Sequence, residues 1–322
     1  MQEKHPPFSV IGIVITGVVL TLLNFIPEAL AQAPSVLNIS PLNFEITINP
    51  GESISDVVKI SNLGDYPIQV KMEAEDFTSA GESGEVVVKE ELNTTYSLAK
   101  WITVTPETIE LEPHSQTLVS FAISVPVEGE PGGHYGTILA SITGGGALGG
   151  AMVVQKVGSL LLVQVAGETK ELLWVKEFKA PYFSEYGPIQ LTTRLENQGT
   201  VHLKPRGFVS ITNLFGKEVA NLPIDQKNIL PQSIRTINAT WNKHLLFGKY
   251  TATLAAIYGF SNEPLSAVIS FWVVPWKILG VSILILLVLG IFLYKTRKRW
   301  KLALKILVKG ESLIKEEPKK AG

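Results

Sequence analysis

Reactive side chains are sparse in this sequence, and their spacing excludes most chemistries. There is no cysteine, which rules out disulfides, thiolate nucleophiles and thiolate metal sites. The five histidines are dispersed, with no His-x-x-x-His pair and no His-Glu-x-x-His helix of the kind that holds zinc. Glu73, Glu75 and Asp76 alternate with apolar residues. That is the pattern of a solvated sheet face, not of two carboxylates aimed at one bond. The run Gly144-Gly145-Gly146-Ala147-Leu148-Gly149-Gly150 is rich in glycine but lacks the Gly-Lys-Ser/Thr ending that grips phosphate. It lies between two strand-like runs, 137–142 and 152–165, and reads as a hairpin tip. A second local feature is Pro131-Gly132-Gly133-His134-Tyr135-Gly136, where proline fixes the entry and two glycines permit positive φ. It reads as a strand-entry turn, with Tyr135 a core or corner residue.

Glycine-rich backbone presents bare N–H and C=O groups, and ordering it is entropically unfavourable unless something binds. The candidate ligand contacts are therefore Gly144, Gly145, Gly146, Gly149 and Gly150, with Pro131, His134 and Tyr135 of the turn taken to lie nearby. The flanking runs are long and apolar, an aggregation hazard at an open sheet edge unless something covers them. No cofactor or metal is expected. With no nucleophile–base or metal constellation in view, a surface hydrolase is the least favoured class. The sequons at Asn38, Asn93 and Asn238 matter only in a glycosylating host and otherwise suit turns or edges.

The elements that must carry these features are strands. In Ile68-Gln69-Val70-Lys71-Met72-Glu73-Ala74-Glu75 apolar and polar residues alternate without a break. Val119, Phe121, Ile123 and Val125 repeat the pattern, as do Ile189, Leu191 and Leu195, and Ile237, Ala239 and Trp241. Alternation lets a strand bury one face of an antiparallel sheet. Pro50-Gly51, Leu63-Gly64-Asp65, Pro113-His114, Gly199 and Pro231 punctuate the runs as turns. The fold class is all-β: two tandem immunoglobulin-like β-sandwiches followed by one transmembrane α-helix.

An internal echo supports one fold used twice. Asn62-Leu63-Gly64-Asp65 answers Asn197-Gln198-Gly199-Thr200, and Leu111-Glu112-Pro113-His114-Ser115 answers Ile229-Leu230-Pro231-Gln232-Ser233. Gly133-His134-Tyr135 likewise answers Gly248-Lys249-Tyr250. The joint is placed near Gly167, giving domains over 32–166 and 167–275.

Two apolar segments bracket these domains. Lys4, the apolar stretch 8–26 and the small residues Ala29, Ala31 and Ala33 describe an export signal over 1–31. Cleavage after Ala31 is favoured over Ala33, which would leave Pro34 at the scissile bond. The second segment, 276–294, carries Lys277 as its single charge and spans a bilayer by length. Trp272 and Trp276 on one side and Tyr294 on the other mark its interfaces, and Lys277 can reach outer headgroups. Lys295, Arg297, Lys298 and Arg299 open a basic tail over 295–322. Basic flanks stay cytoplasmic, which places the sandwiches outside, and the tail suits an anionic inner leaflet. Residues 32–275 hold 16 Lys and Arg against 24 Asp and Glu, which argues against nucleic acid as a partner.

Asn49-Pro50-Gly51-Glu52, residues 57–62 with Gly64, Pro113-His114-Ser115 and residues 131–136 resemble the first extracellular domain of the WxL-interacting proteins of Gram-positive bacteria. Phe247-Gly248-Lys249-Tyr250-Thr251 and residues 270–276 are similar to the end of that family's second domain. The resemblance implies a peptidoglycan-binding first sandwich, a protein-binding second one, and a membrane helix with a basic tail. The first domain is also similar to pilus-assembly chaperones in its Pro-Gly-Glu and Asn-x-Gly turns. The sequence therefore favours a non-enzymatic cell-surface protein whose partner is cell-wall glycan or another surface protein. The alternative is a membrane-tethered chaperone that accepts a client β-strand.

Overall fold

The structure, a computed structural model, describes residues 36–90, 94–145 and 155–308. The segment expected to be an export signal, Asn93, Gly146, Gly149, Gly150 and the end of the tail lie outside the described residues. Two β-sandwiches follow one another and an apolar helix ends the chain.

The first sandwich packs one sheet in the order β1 (Leu37–Ser40), β3 (Ser53–Asn62), β8 (Gln116–Ser124), β6 (Ile102–Thr105) against a larger one. The larger runs β2 (Asn43–Ile48), β10 (Lys156–Val165), β9 (Gly132–Gly145), β4 (Ile68–Ala80), β5 (Glu85–Lys89), and β7 (Thr108–Leu111) also pairs with β4. The second sandwich repeats the plan. β11 (Leu173–Lys179), β13 (Ile189–Asn197) and β16 (Ile234–Trp241) form one sheet. β12 (Phe183–Ser184), β18 (Glu263–Val273), β17 (Gly248–Tyr258), β14 (Arg206–Asn213) and β15 (Glu218–Pro223) form the other. In both, the opening segment pairs antiparallel in one sheet, then crosses over. There it joins the last strand in parallel, β2 with β10 and β12 with β18.

The alternation read from the sequence fills the two cores. Ile68, Val70 and Met72 of β4 point inward, with Gln69 and Lys71 outward. They join Ile60, Leu98, Phe121, Ile123 and Leu161 in the first core. Leu191, Leu195, Ile211, Trp241, Tyr250 and Phe271 centre the second, where the Tyr250 ring lies 5.1 Å from Trp241 and 5.9 Å from Phe271. Each fully buried side chain of this size contributes roughly 1.5–3 kcal/mol by leaving water.

The internal echo is a repeated clasp. Asn62 ends β3 with no exposure; its Nδ2 donates to the carbonyls of Tyr66, Leu111 and Glu112 at 2.8, 3.1 and 3.1 Å, and its Oδ1 accepts from the Gly64 N–H. Asn197 ends β13 in the same way, donating to Val201 and Ile229 at 2.8 Å each and accepting from Gly199. The answering turns match as well. His114 and Gln232 both take positive φ, and Ser115 and Ser233 each turn a hydroxyl onto the carbonyl three residues back at 2.7 Å. The Asn-x-Gly pattern recurs because in each copy one asparagine reaches a carbonyl four residues on and another across the sandwich, Leu111 or Ile229.

Two expectations change. The apolar runs around the glycine-rich stretch form no open edge, because β9 lies between β10 and β4 and β10 between β2 and β9. Asp76 does not lie on a solvated face. It has no exposure and accepts from Ser97 Oγ at 2.6 Å and from the Leu98 and Ala99 N–H groups at 2.8 and 2.7 Å. Asp76 follows Glu75 directly and so falls on the core-facing side with Ile68, Val70 and Met72, while Phe77 lies on the outer face.

Helix α1 (Trp276–Val308) begins two residues after β18. Its segment Trp276–Arg297 has a mean hydropathy of 2.5, is exposed along its length apart from the Lys277–Glu185 ion pair at its start, and is long enough to cross a membrane, about 33 Å at the helical rise.

Asn197→Ala leaves two buried carbonyls and one N–H without partners and is expected to cost about 2–4 kcal/mol. Denaturant unfolding of the detergent-solubilised chain, followed by circular dichroism, checks this; a loss below about 0.5 kcal/mol would show the clasp to be dispensable.

Candidate functional site

The larger sheet of the first sandwich is apolar on both faces. In β10, Leu161 and Val163 face the core, while Leu160 and Leu162 face outward. Phe77, Tyr135 and Leu162 form a separate apolar cluster on that outer face, with Val88, Tyr96, Leu160 and Leu230 packed against it. Leu230 belongs to the turn before β16, so the second sandwich closes over this cluster.

Polar contacts fix the closure on its flanks. Glu82, at the tip of the β4–β5 hairpin, forms a two-pronged ion pair with Arg194 of β13, and its Oε2 accepts from Thr236 Oγ1 at 3.0 Å. The Thr236 N–H donates to the Glu82 carbonyl at 2.8 Å, so the tip also covers part of the free edge of β16. Elsewhere Glu45 accepts from Lys204 at 2.9 Å and Asn228 at 2.7 Å. The hydrogen bond from Lys204 is the main cause that holds the Glu45 carboxyl below its ordinary range, with Asn228 adding to it. Between the two, the Gly133 N–H donates to the Thr200 carbonyl at 2.9 Å, and the Tyr135 hydroxyl meets His202 Nδ1 at 3.4 Å. Burial pushes the Tyr135 hydroxyl up and His202 down, which leaves both neutral near pH 7.

Beside these contacts lies a cavity of about 300 Å³. Its apolar walls are Leu42, Phe77, Val86, Leu160, Leu162 and Leu230, and Asn43, Ser79, Glu85, Lys227, Asn228, Ser233 and Arg235 line it with polar groups. Asn228 Oδ1 and Arg235 Nε are buried without partners. Arg235 donates through Nη1 to the Asn228 carbonyl at 3.0 Å, and burial pulls its guanidinium below the ordinary value. That guanidinium lies against Gly84, where φ is +87° and a Cβ would sit 2.0 Å from Arg235 Cζ. Among the described residues, Arg235 Nε and Asn228 Oδ1 are the buried donor and acceptor left without a partner beside the apolar walls. They suit an apolar side chain beside a backbone amide.

Edge strand β5 runs along this cavity. Among the described residues nothing pairs with its outer side. Val86 lines the cavity, Val88 packs on the Phe77 cluster, and Val86 and Val87 are about 40% exposed, at 41% and 42%.

The sequence-derived candidates fall in two places. Gly144 and Gly145 are the last residues of β9, paired with Gln69 and Ile68. Pro131 precedes the other end of β9, about 40 Å away along the strand, so Gly144 and Gly145 are not neighbours of the turn. His134 and Tyr135 are 3% and 2% exposed. His134 has its ring nitrogens 3.0 and 2.9 Å from the Ser97 and Glu130 carbonyls, with Trp101 4.3 Å from its ring. Both side chains thus belong to packed structure at or near the junction. Lys277 pairs with Glu185 at 2.8 Å and lies over Trp276, and Arg297 lies over Tyr294. Trp272 is exposed, at 39%, and pairs with Phe183. Among the described residues no three His, Asp or Glu groups converge as a metal site would require.

Glu82, Arg194 and Arg235 escaped sequence reasoning. Gly81-Glu82-Ser83-Gly84 reads as a solvated hairpin tip, and nothing local signals a partner 112 positions away.

No family model matches the chain, and no curated protein matches it. Among solved structures it is similar to the class 5 fimbriae chaperone CfaA, at 12% identity over 72% of this chain and 98% of that one, with a TM-score of 0.38. The CupB2 chaperone of Pseudomonas aeruginosa is similar at 10% identity over 73% and 100%, with a TM-score of 0.36. The ASH/PapD-like domain of human CEP192 follows at 16% identity over 44% and 93%, with a TM-score of 0.31. Scores this low say nothing about function, and the two-sandwich architecture rests on the strand pairing described above.

The Arg194 hydrogen bonds hold the Glu82 carboxyl at about 2, against its ordinary 4.5. A depressed carboxyl stabilises the fold above its ordinary value and loses that contribution as pH falls toward the folded-state value. The native chain should therefore exceed Glu82→Gln in thermal midpoint at pH 6, and the gap should narrow from pH 4.5 down to about 2. A gap independent of pH would show that the charge is not what couples the sandwiches.

Proposed function

We propose that this chain is a non-enzymatic, membrane-anchored binding protein that takes an extended segment of a partner protein at the junction of its sandwiches. The observation that carries this reading is the outer side of edge strand β5, unpaired among the described residues, running beside a cavity with apolar walls whose buried Arg235 Nε and Asn228 Oδ1 have no partner. An added strand bonds to the edge through its backbone, and alternate side chains enter the pocket, which supplies selectivity. About 300 Å³ accommodates one or two apolar side chains. Arg235 Nε then donates to a carbonyl of the incoming segment and Asn228 Oδ1 accepts from its N–H.

In this reading α1 spans the membrane, with the sandwiches outside. Lys295, Arg297, Lys298, Arg299 and Lys301 follow the apolar segment and belong on the cytoplasmic side. Cell-wall glycan is a second ligand class, favoured by one feature. Trp101 lies at an open shelf of about 570 Å³ with Thr94, Ser97, Lys100, Glu128 and Glu130, a mix of aromatic face and polar groups suited to a sugar.

Two measurements test the proposal. Protease added to intact cells should remove the sandwiches and spare a tag at Gly322; loss of the tag overturns the orientation. A photo-crosslinking residue at Val87 of the full chain should capture one contiguous extended segment of a partner, and a peptide of that segment should bind the purified chain. Val86→Lys and Arg235→Ala should each lower that affinity about tenfold or more without moving the unfolding midpoint. Unchanged affinity in both sinks the cleft reading, and binding of wall fragments lost in Trp101→Ala would favour the glycan instead.

A further inference from the structure

The end of the second sandwich from which α1 departs carries exposed apolar side chains on three separate loops. Strand register brings the loops to one level: Ile189 pairs with Trp241, Asn213 with Tyr250, and Gly248 with Val273. The loop around β12 displays Tyr182 and Tyr186, the β14–β15 turn displays Leu214 and Phe215, and the loop before β17 displays Leu245 and Phe247. Tyr182 is 78% exposed, Phe215 89%, Leu245 81% and Phe247 67%.

These rings are held outward by ordered turns. The Gly187 N–H donates to the His244 carbonyl at 3.2 Å, linking two of the loops. Ser184 Oγ donates to the Tyr186 carbonyl at 2.8 Å, and the Phe215 N–H to Asn213 Oδ1 at 3.0 Å. The Tyr250 hydroxyl accepts from the Phe247 N–H and donates to its carbonyl, both at 3.2 Å. Leu246 points into the core while its neighbours Leu245 and Phe247 point away. Six apolar side chains at one end of a domain exceed the scatter expected of a solvated surface.

We infer that this end is a membrane seat, resting in the interface of the leaflet that α1 enters. The inference rests on the reading of α1 as a membrane span. Only Val274 and Pro275 separate β18 from Trp276, where the apolar segment starts, so the bilayer surface lies at the level of the three loops. Tyrosine, phenylalanine and leucine are suited to the boundary between headgroups and acyl chains. Lys217 and Lys243, in two of the same loops, reach headgroup phosphates. Seated this way, the second sandwich stands with its strands away from the membrane. The cleft at its far end then lies roughly 35 Å above the bilayer, about the length of β17.

The absence of cysteine makes the test direct. Full chains carrying Phe215→Cys, Phe247→Cys, Phe260→Cys or Leu286→Cys are labelled with an environment-sensitive fluorophore. They are then placed in nanodiscs of phosphatidylcholine and phosphatidylglycerol, with and without nitroxide-labelled lipid. Probes at 215 and 247 should shift to the blue and lose emission to the nitroxide lipid, as the mid-helix probe at 286 does. The probe at 260, on the opposite turn, should do neither. Quenching at 286 with 215 and 247 behaving like 260 overturns the seat and leaves the span standing. Probes at 215 and 247 shielded from a water-soluble quencher yet untouched by nitroxide lipid also overturn it, since protein then covers the loops. An unquenched probe at 286 overturns the span and the seat together.

Discussion

Three consecutive leucines, 160, 161 and 162, lie in a strand that has sheet on either side of it. Side chains alternate in a strand, so such a run makes both faces of the sheet apolar. One face has the first core. Among the described residues, the other is covered from its own sandwich only by the Tyr96 segment, and the second sandwich closes over the Phe77–Tyr135–Leu162 cluster with Leu230. The relation between the sandwiches follows from that demand. Glu82, Glu45 and the Gly133–Thr200 hydrogen bond set the angle of closure, but without the apolar face there would be nothing to close over. The cleft is where the cover is incomplete.

The repeat shows how one plan yields two roles. Both halves use the asparagine clasp and a glycine–x–tyrosine entry into the penultimate strand. Tyr250 stays within its own sandwich, between Trp241 and Phe271. Tyr135 is turned to the outer face, where it meets Phe77, Tyr96 and His202. The first copy has thus converted a corner residue into a joint residue, and His134 beside it is fully engaged by backbone carbonyls.

Much of this was legible in the sequence because strand periodicity and turn chemistry are local. The alternation in 68–75 and the echo of Asn62 with Asn197 located strands, turns and the duplicated plan. The uniform apolarity of 276–294 located the long helix. What was not legible depends on distant pairing. Asp76 reads as surface in company with the acidic Glu73 and Glu75, yet it falls on the core-facing side and Ser97, Leu98 and Ala99 fold over it. The aggregation hazard inferred for the runs beside the glycine-rich stretch assumed an edge, whereas sheet order places both strands inside. Glu82 reads as a solvated tip because its partners arrive from the other half of the chain.

The join between β18 and α1 has a mechanical side. The last strand is bonded along its length to β17, through eleven paired positions from Gly248–Val273 to Tyr258–Glu263, and at its end to β12. The Trp276 and Leu279 N–H groups reach back to the Val274 and Pro275 carbonyls, so the helix starts without slack. With α1 spanning a membrane as proposed, a tension between the membrane and a partner bound above it runs along the axis of β18. It loads the ladder in shear, where many hydrogen bonds resist together, and does not peel it one bond at a time. The anchoring strand is in this sense a tether built to carry load.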